Sequence, residues 1–295
     1  MGLHQTLSIL ALIFLVNQAA HANSQNGPIC LEGYKQILPK GTARAVETNQ
    51  YKVNRGISAY RGAFRSPKHP EQDSFGGHLN RLRPDQHWLD VGCGLCRAAM
   101  QFFEENGLDF TAPWRGNAHE RLPRVTGLVL SDQFPNPEHH LVTSFRDMQA
   151  NAPPRHPRII VGTPVEYFPD AVENVGRADI ITDVFGAFSY SPRIDQVLDR
   201  YLELLEPNGA AYIMIPPNFN SINIKNAAGQ PLRIDDYLAK VRGANVEVVH
   251  VEATANNPPR SYFVMRRNDE PIHVPRLELR SMESGTPPRR FYRLP

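Results

Sequence analysis

The chain has 295 residues, a length that suits one large α/β domain with additions. Its 32 basic and 30 acidic residues leave a formal net charge of +2, so the sequence carries no strong electrostatic footprint for a nucleic acid. It contains neither G-x-S-x-G nor H-E-x-x-H, which leaves the common hydrolase classes without a motif.

An apolar leader opens the sequence. Leu7–Val16 is apolar except for Ser8, and Ala20-His21-Ala22 has the A-x-A form of a signal-peptidase site. We therefore expect residues 1–22 to be a signal peptide, and the mature protein to be secreted or periplasmic without a stable membrane span. No Lys or Arg precedes the apolar run, so a retained anchor and a non-functional leader, which would leave the protein cytoplasmic, stay open.

Residues 76–267 show an alternation of strands and helices that is typical of a doubly wound α/β core. The predicted strands are His87–Asp90, Val125–Leu130, Arg158–Gly162, Ala178–Phe185 and Ala210–Ile215, and the predicted helices are Ala98–Asn106, Ile194–Leu205 and Ile234–Val241. Continuous apolar strands that alternate with helices favour a mostly parallel sheet covered on both faces. Asn245–Glu252 and Ser261–Arg266 follow without a helix between them, which adds a terminal antiparallel hairpin and gives seven strands in all.

Residues 268–295 are interpreted as a C-terminal tail. The tail contains the basic and aromatic run Pro287–Arg293. A mobile segment is the simplest explanation, and a contact for an acidic partner is the alternative.

A glycine turn directly follows the first strand. Asp90 closes the strand, and Gly92-Cys93-Gly94 precedes the next helix. Glycine lets the backbone bend tightly and approach a ligand where a Cβ would clash, and the helix N-terminus favours negative groups. A dinucleotide-binding G-x-G-x-x-G would need a third glycine at Arg97, and a strand–turn–helix without any ligand is a further alternative.

This turn resembles motif I, D-x-G-x-G, of the class I S-adenosyl-L-methionine (SAM)-dependent methyltransferases, with Cys96 where many members have a third glycine. Leu205–Gly209 is similar to the family's L-x-P-G-G turn, and the order of elements over residues 76–267 also agrees with the family. The resemblance implies a Rossmann-like methyltransferase fold and SAM as the cofactor. It also implies that the donor is bound by Asp90, Gly92, Cys93 and Gly94.

Two other family positions match unevenly. The acid that usually ends the second strand falls on Val129, while Asp132, three residues further on, is either its substitute or a turn residue. After the third strand, the first three positions of the family pattern D-A-E-x-L-P align with Pro164-Val165-Glu166, so proline stands where the family has an acid. The resemblance therefore places Asp132, Pro164 and Val165 near the nucleoside of the donor.

The end of the fourth strand is predicted to face the methyl acceptor. Ligands of open parallel sheets bind outside the carboxyl ends of the strands, which places Asp183 and the following segment Phe185–Tyr190 at the crevice. Methyl transfer needs positioning, and a base where the nucleophile carries a proton. Asp183 and Tyr190 are therefore the candidate catalytic residues, and Asp183 is also expected to face the donor. A loop anchor or helix cap for Asp183 and a core position for Tyr190 are the alternatives.

Residues 23–75 are interpreted as an N-terminal extension, and the resemblance implies that it caps the cleft. The aromatic and basic groups that it offers are Tyr51, Tyr60, Arg61 and Phe64. An ordinary flanking helix is the simpler explanation for any one of them.

Cys93 and Cys96 form a C-x-x-C, which suits a redox pair or half of a metal site. A zinc site would need two more ligands at a recognisable spacing, and Cys30 is the only other cysteine. We predict no metal site.

The resemblance implies an enzyme that transfers a methyl group from SAM to a small-molecule or protein acceptor. Export conflicts with this activity, because SAM is made and kept in the cytosol. The protein acts inside another cell, or the leader does not export it, or catalysis has been lost. Two hypotheses follow: an active SAM-dependent methyltransferase, and a secreted non-catalytic binding protein on the same scaffold.

Overall fold

The computed structural model describes most of the predicted core and parts of both flanking regions. The described residues are 55–65, 74–108, 118–129, 158–161, 164–168, 171–215, 221–252, 259–284 and 287–295. The predicted leader, Cys30, Tyr51 and Asp132 lie outside them. Within these segments no helix is both long and apolar enough to cross a membrane.

Two sheets are present in the described part of the chain. The strands in chain order are β1 (His87–Val91), β2 (Arg124–Val129), β3 (Arg158–Val161), β4 (Ala178–Asp183), β5 (Leu205–Ile215), β6 (Ile222–Lys225), β7 (Pro231–Leu232), β8 (Ala244–Val251), β9 (Arg260–Arg267), β10 (Glu278–Glu283) and β11 (Arg289–Arg293). The main sheet has seven strands in the order β3-β2-β1-β4-β5-β9-β8.

The main sheet is parallel except at one edge. Strands β1 to β5 pair in parallel, whereas β9 runs antiparallel to both β5 and β8. This confirms the predicted fold, a doubly wound, mostly parallel seven-stranded sheet that ends in an antiparallel hairpin.

Helices cover both faces of the main sheet. They are α1 (Ile57–Ala63), α2 (Phe75–Asn80), α3 (Arg97–Glu105), α4 (Ala171–Val175), α5 (Ala187–Tyr190), α6 (Ile194–Leu204) and α7 (Ile234–Leu238). The first three pack in one apolar layer with Trp88, and the last four in the other layer with Leu89. All five residues of β1 are buried, because successive side chains of a strand point to opposite faces and both faces are covered.

An aromatic cluster fixes α1 and α2 to the sheet. The Phe64 ring lies 5.5 Å from those of Tyr212 and Tyr262, and the Phe75 ring lies 5.8 Å from that of Trp88. The Tyr262 hydroxyl also donates a hydrogen bond of 3.2 Å to the Phe64 carbonyl. Such ring pairs add about 0.5–1.5 kcal/mol each beyond simple burial. Helix α1 is therefore held over the carboxyl half of the sheet.

The segment interpreted from sequence as a C-terminal tail forms part of the second sheet. Its strand order is β10-β11-β6-β7, with β11 parallel to β6 and antiparallel to β10. Tyr292 and Arg290 of β11 are buried, at 2% and 0% exposure. The Arg290 guanidinium donates to the carbonyls of Phe188 (2.9 Å) and Ser191 (2.6 Å). This buried cation ties β11 to the segment that follows β4.

Candidate active site

The glycine turn after β1 is held by its own backbone. The N–H groups of Gly92 and Cys93 both donate to the Leu128 carbonyl, at 2.9 and 3.2 Å. Gly92 and Gly94 have φ values of +73° and +56°, which glycine adopts without strain. Leu95 and Gly94 are buried, and their N–H groups make no hydrogen bond to another described residue. These two amides, just before α3, are the part of the turn that can receive a ligand oxygen.

The two cysteines of the turn form a disulfide, Cys93–Cys96. Both residues are buried, and their sulfur atoms lie against Gly127 of β2. A Cβ at Gly127 would stand 2.5 Å from Cys96 Sγ and 2.6 Å from Cys93 Sγ. The sulfur pair therefore occupies the space that a side chain on β2 would take. The C-x-x-C thus acts as a covalent closure of the turn, and no group of three or more potential metal ligands occurs among the described residues.

The carboxylate of Asp90 lies beneath the turn, with no exposed surface. Tyr60 of α1 donates its hydroxyl to both oxygens, at 3.1 and 3.0 Å, and the Thr182 hydroxyl donates to Oδ1 at 2.8 Å. Trp88 Nε1 donates to Thr182 Oγ1 at 2.8 Å and completes the chain of hydrogen bonds. Burial raises the pKa of Asp90 to about 7, although the hydrogen bonds from Thr182 and Tyr60 oppose the shift.

Asp90 thus contacts α1 and β4 in this structure. The predicted contact between the Asp90 carboxylate and the donor is not among these contacts, and it stays a prediction. Among the residues predicted to cap the cleft, Tyr60 and Phe64 are buried, while Arg61 pairs with Glu105 of α3 at 2.9 Å.

Asp183 holds the segment after β4. Its Oδ1 accepts from the Gly186 N–H at 2.6 Å, and its Oδ2 accepts from the Phe188 N–H at 2.8 Å and the Tyr201 hydroxyl at 2.5 Å. Asp183 has no exposed surface, and burial raises its pKa to about 6 against these hydrogen bonds. This geometry is that of a loop anchor, which the sequence left open. A direct catalytic role for Asp183 stays a prediction.

The turns after β1 and β4 are in direct backbone contact. A Cβ at Gly92 would lie 2.5 Å from the Gly186 Cα, and a Cβ at Gly186 would lie 2.3 Å from the Val91 carbonyl oxygen. Side chains at either position would push the turns apart. The two glycines therefore set the distance between the ends of β1 and β4.

The positions after β3 are only partly described. Pro164 and Val165 are buried and begin a short 3-10 helix, Val165–Tyr167. Glu166 Oε1 accepts a hydrogen bond of 2.5 Å from the Ser191 hydroxyl, which links this helix to the end of α5. The structure thus brings Pro164 and Val165 to the same edge of the sheet as the turn after β4, as expected for residues that follow parallel strands.

A cleft of about 710 Å³ opens at the carboxyl ends of β4 and β5, alongside α1. Its described lining comprises Arg55, Ser58, Ala59, Gly62, Ala63, Arg65, Val184, Phe185, Met214, Ile215, Pro259 and Arg260. Phe185 has a φ of +58°, an uncommon conformation for a residue with a side chain, and such outliers cluster at ligand sites. Tyr190 is half-buried and interacts electrostatically with Arg55, which places it beside the cleft.

The sequence gave a partial signal for the cleft. Phe185 follows the fourth strand and is predicted to line the crevice, whereas Arg55 lies in a segment without a motif and is identified only by its position in the fold. The family resemblance did point to the N-terminal extension as a cap, and α1 does supply much of the lining.

The amides of the glycine turn fit SAM, whereas the Asp90 carboxylate does not. Gly94 and Leu95 present two buried amides to an edge where a negatively charged oxygen, such as the donor's carboxylate, would be stabilised. Asp90 has no exposed surface, and its oxygens already accept hydrogen bonds from Tyr60 and Thr182 within the fold. The donor would thus be held by main-chain amides more than by the motif's carboxylate.

No family model matches the chain, and no curated protein sequence matches it. The chain is similar in structure to an rRNA methylase from Streptococcus thermophilus, with 13% identity over 69% of this chain and 100% of the other and a TM-score of 0.40. It is similar to a SAM-dependent methyltransferase from Methanosarcina mazei, with 13% identity over 65% of this chain and 96% of the other and a TM-score of 0.36. It is also similar to the N-methyltransferase NodS from Bradyrhizobium japonicum, with 12% identity over 65% of this chain and 92% of the other and a TM-score of 0.37.

Proposed function

We propose that the protein is a SAM-dependent methyltransferase. The proposal rests on one observation: the strand order β3-β2-β1-β4-β5-β9-β8 brings the glycine turn after β1 against the turn after β4. Open sheets bind ligands at this edge, where the ends of neighbouring strands meet. The turn there has the bare backbone that a polar nucleoside donor requires, and two of its amides make no hydrogen bond within the described part of the chain.

The chain's own residues would bind and orient the two substrates. SAM supplies a methyl carbon bonded to a positively charged sulfur. Gly94 and Leu95 would donate to the donor's carboxylate, and Asp90, which is buried behind the turn, would keep the turn in place through Tyr60. The proposed nucleoside contacts are Pro164, Val165 and Asp132, the last outside the described residues.

Asp183 is proposed as a positioning residue. It fixes the amides of Gly186 and Phe188, and through them the wall formed by Phe185. Tyr190 lies beside Arg55 and is the proposed contact to the acceptor. Because positioning alone supplies much of the acceleration of an in-line transfer, a rigid wall at this point has a direct catalytic value.

A small molecule is the proposed acceptor. The cleft volume of about 710 Å³ lies within the range of small-molecule sites, about 300–1,000 Å³. A protein acceptor would have to insert a single side chain into it.

Export of the mature protein is also part of the proposal, with methyl transfer taking place inside another cell, where SAM is available. The apolar leader is one support, and the Cys93–Cys96 disulfide is a second, since disulfides persist mainly in oxidising compartments. The mature N-terminus is expected at residue 23. Mass spectrometry of protein isolated without reductant should show only Cys30 alkylated, and full alkylation of all three cysteines would contradict the oxidising location.

Calorimetric titration with SAM and with its demethylated product, S-adenosylhomocysteine, tests the function. We expect both to bind, and Gly94→Ala to weaken binding at least tenfold, because a Cβ at the turn blocks close approach. Gly229→Ala is the matched control: Gly229 also has a positive φ, +81°, but lies in the remote β6–β7 turn with no atom near its Cβ position.

No binding of either compound at millimolar concentration would contradict the methyltransferase proposal. That result would favour the non-catalytic binding protein on the same scaffold. Equal weakening by both glycine substitutions would show that the effect is on backbone stability and not on the turn as a ligand site.

A further inference from the structure

The cleft alongside α1 has an unusual charge. Three of its described lining residues are arginines, Arg55, Arg65 and Arg260, and none is acidic. The arginines come from the two ends of α1 and from the start of β9. Together they bring three positive charges to the cleft, and its apolar walls favour the attraction of an anion.

These arginines differ from the other arginine of the same helix. Arg61 points away from the cleft lining and pairs with Glu105 at 2.9 Å. Arg55, Arg65 and Arg260 form no ion pair with any carboxylate among the described residues. Their charges are therefore uncompensated by this part of the chain.

Two of the three guanidinium groups are held in place. Arg55 donates to the Val184 carbonyl at 3.2 Å and lies over the Phe185 ring, 4.1 Å from its centroid. Arg260 Nε donates to the Ala63 carbonyl at 3.2 Å. A guanidinium has five N–H donors, so each keeps several for a further partner. Burial lowers the pKa of Arg55, because its charge is partly removed from water.

The remainder of the lining is largely apolar. Phe185, Met214, Ile215 and Pro259 contribute side chains without charge. A ligand that fills the cleft must therefore combine a negative group with an apolar body. A cationic acceptor such as a protonated amine would be repelled by the three arginines.

We propose that the methyl acceptor is a small organic anion, a carboxylate or phosphate attached to an apolar body, held by Arg55, Arg65 and Arg260. The inference rests on the proposed function, since it names the substrate class of the same site. A planar guanidinium binds carboxylate and phosphate oxygens in pairs, which orients the acceptor as well as attracting it.

A matched pair of probes tests the inference on the full chain. 1-Naphthoate and 1-naphthamide share the ring and differ in charge, and 1-naphthyl phosphate separates the two anionic groups. Calorimetry should show that at least one of the two anions binds tenfold or more tighter than the amide. Arg65→Gln and Arg260→Gln should each weaken anion binding about tenfold and leave amide binding unchanged.

Arg83→Gln is the control, because Arg83 is exposed and pairs with Asp85 before β1, at the opposite edge of the sheet. It should leave anion binding as in the wild type. An unchanged urea unfolding midpoint shows that each variant is folded. Equal affinity for the acid, the phosphate and the amide would overturn the inference, as would an equal effect of Arg83→Gln.

The two proposals fail separately. Binding of S-adenosylhomocysteine without any preference for an anion refutes the anionic acceptor and leaves the methyltransferase proposal supported. Preference for an anion without binding of S-adenosylhomocysteine or SAM refutes the methyltransferase proposal and leaves an anion-binding cleft.

Discussion

Replacing Asp90 by Asn should change how the stability of the protein depends on pH. Burial raises the pKa of this carboxyl from 3.8 to about 7. One pKa unit corresponds to about 1.4 kcal/mol, so a shift of roughly three units is worth on the order of 4 kcal/mol. The folded chain binds the proton more tightly than the unfolded chain. The stability from this group is therefore complete below pH about 4 and is lost as the pH rises to about 7.

Other buried groups titrate in the same range. Asp183, with its pKa raised to about 6, acts in the same direction as Asp90. His78 and His87 have their pKa lowered to about 4 by burial, so they act in the opposite direction: their neutral forms favour folding as the pH rises. The total pH dependence of the wild type is thus a sum of opposing contributions, and only a difference between variants isolates Asp90.

Urea unfolding of the wild type and Asp90→Asn, measured from pH 4.5 to pH 8, gives that difference. The free energy of unfolding of the variant should rise relative to the wild type across this interval, by a few kcal/mol and with most of the change below pH 7. Asp85→Asn is the control, since Asp85 is exposed and Arg83 lowers its pKa below the interval. Parallel curves for the wild type and Asp90→Asn would refute the buried, proton-binding carboxyl.

Three further substitutions test the packing of the site. Gly127→Ala should lower the free energy of unfolding by about 1–3 kcal/mol, because its Cβ would meet both sulfur atoms of the disulfide. In a Cys93→Ala, Cys96→Ala background the same substitution should cost much less in urea unfolding, and an undiminished cost would exclude the sulfur contact. Asp183→Asn should lower the free energy of unfolding by about 2 kcal/mol, since an amide cannot accept all the hydrogen bonds of the carboxylate, and an unchanged urea midpoint would argue against the anchor. Arg290→Met should cost about 2–3 kcal/mol and speed proteolysis between β4 and α6, whereas unaltered proteolysis would show that β11 does not hold this segment.

The main sheet could be predicted because its strands are short apolar runs separated by helices with a clear period. The predicted boundaries shifted by a few residues. Strand β5 begins at Leu205, where Ala210 was expected, because its first residues extend the ladder across a Pro-Asn-Gly turn signal. Helix α7 ends at Leu238 and not at Val241.

The second sheet could not be predicted from the same signals. Strand β10 is mostly exposed, and β7 has only two residues, so neither has an apolar period. These strands form because β11 buries Arg290 and Tyr292 against the main domain. That contact joins parts of the chain that are far apart in sequence, so the local sequence pattern of each strand does not predict it.

The sequence located the turn but not the contacts of its groups within the fold. Donor binding by Asp90 and Gly92 stays a prediction, while their partners in the structure come from distant parts of the chain. Tyr60, thirty residues earlier in the chain, takes the Asp90 carboxylate, and the Leu128 carbonyl takes the Gly92 amide. The C-x-x-C did not by itself indicate a disulfide that closes the turn, because the space for the two sulfur atoms is provided by Gly127 on a different strand.

The hydrogen bonds from Arg290 also have a consequence for synthesis. The Phe188 carbonyl accepts its hydrogen bond from Arg290, which lies 102 residues further along the chain. At a translation rate of about 5–20 residues per second, that partner is made roughly 5–20 seconds later. During this interval, while the chain is still on the ribosome, the segment after β4 lacks the hydrogen bonds from Arg290. A nascent chain stalled before residue 290 would therefore expose an incomplete cleft to chaperones and proteases.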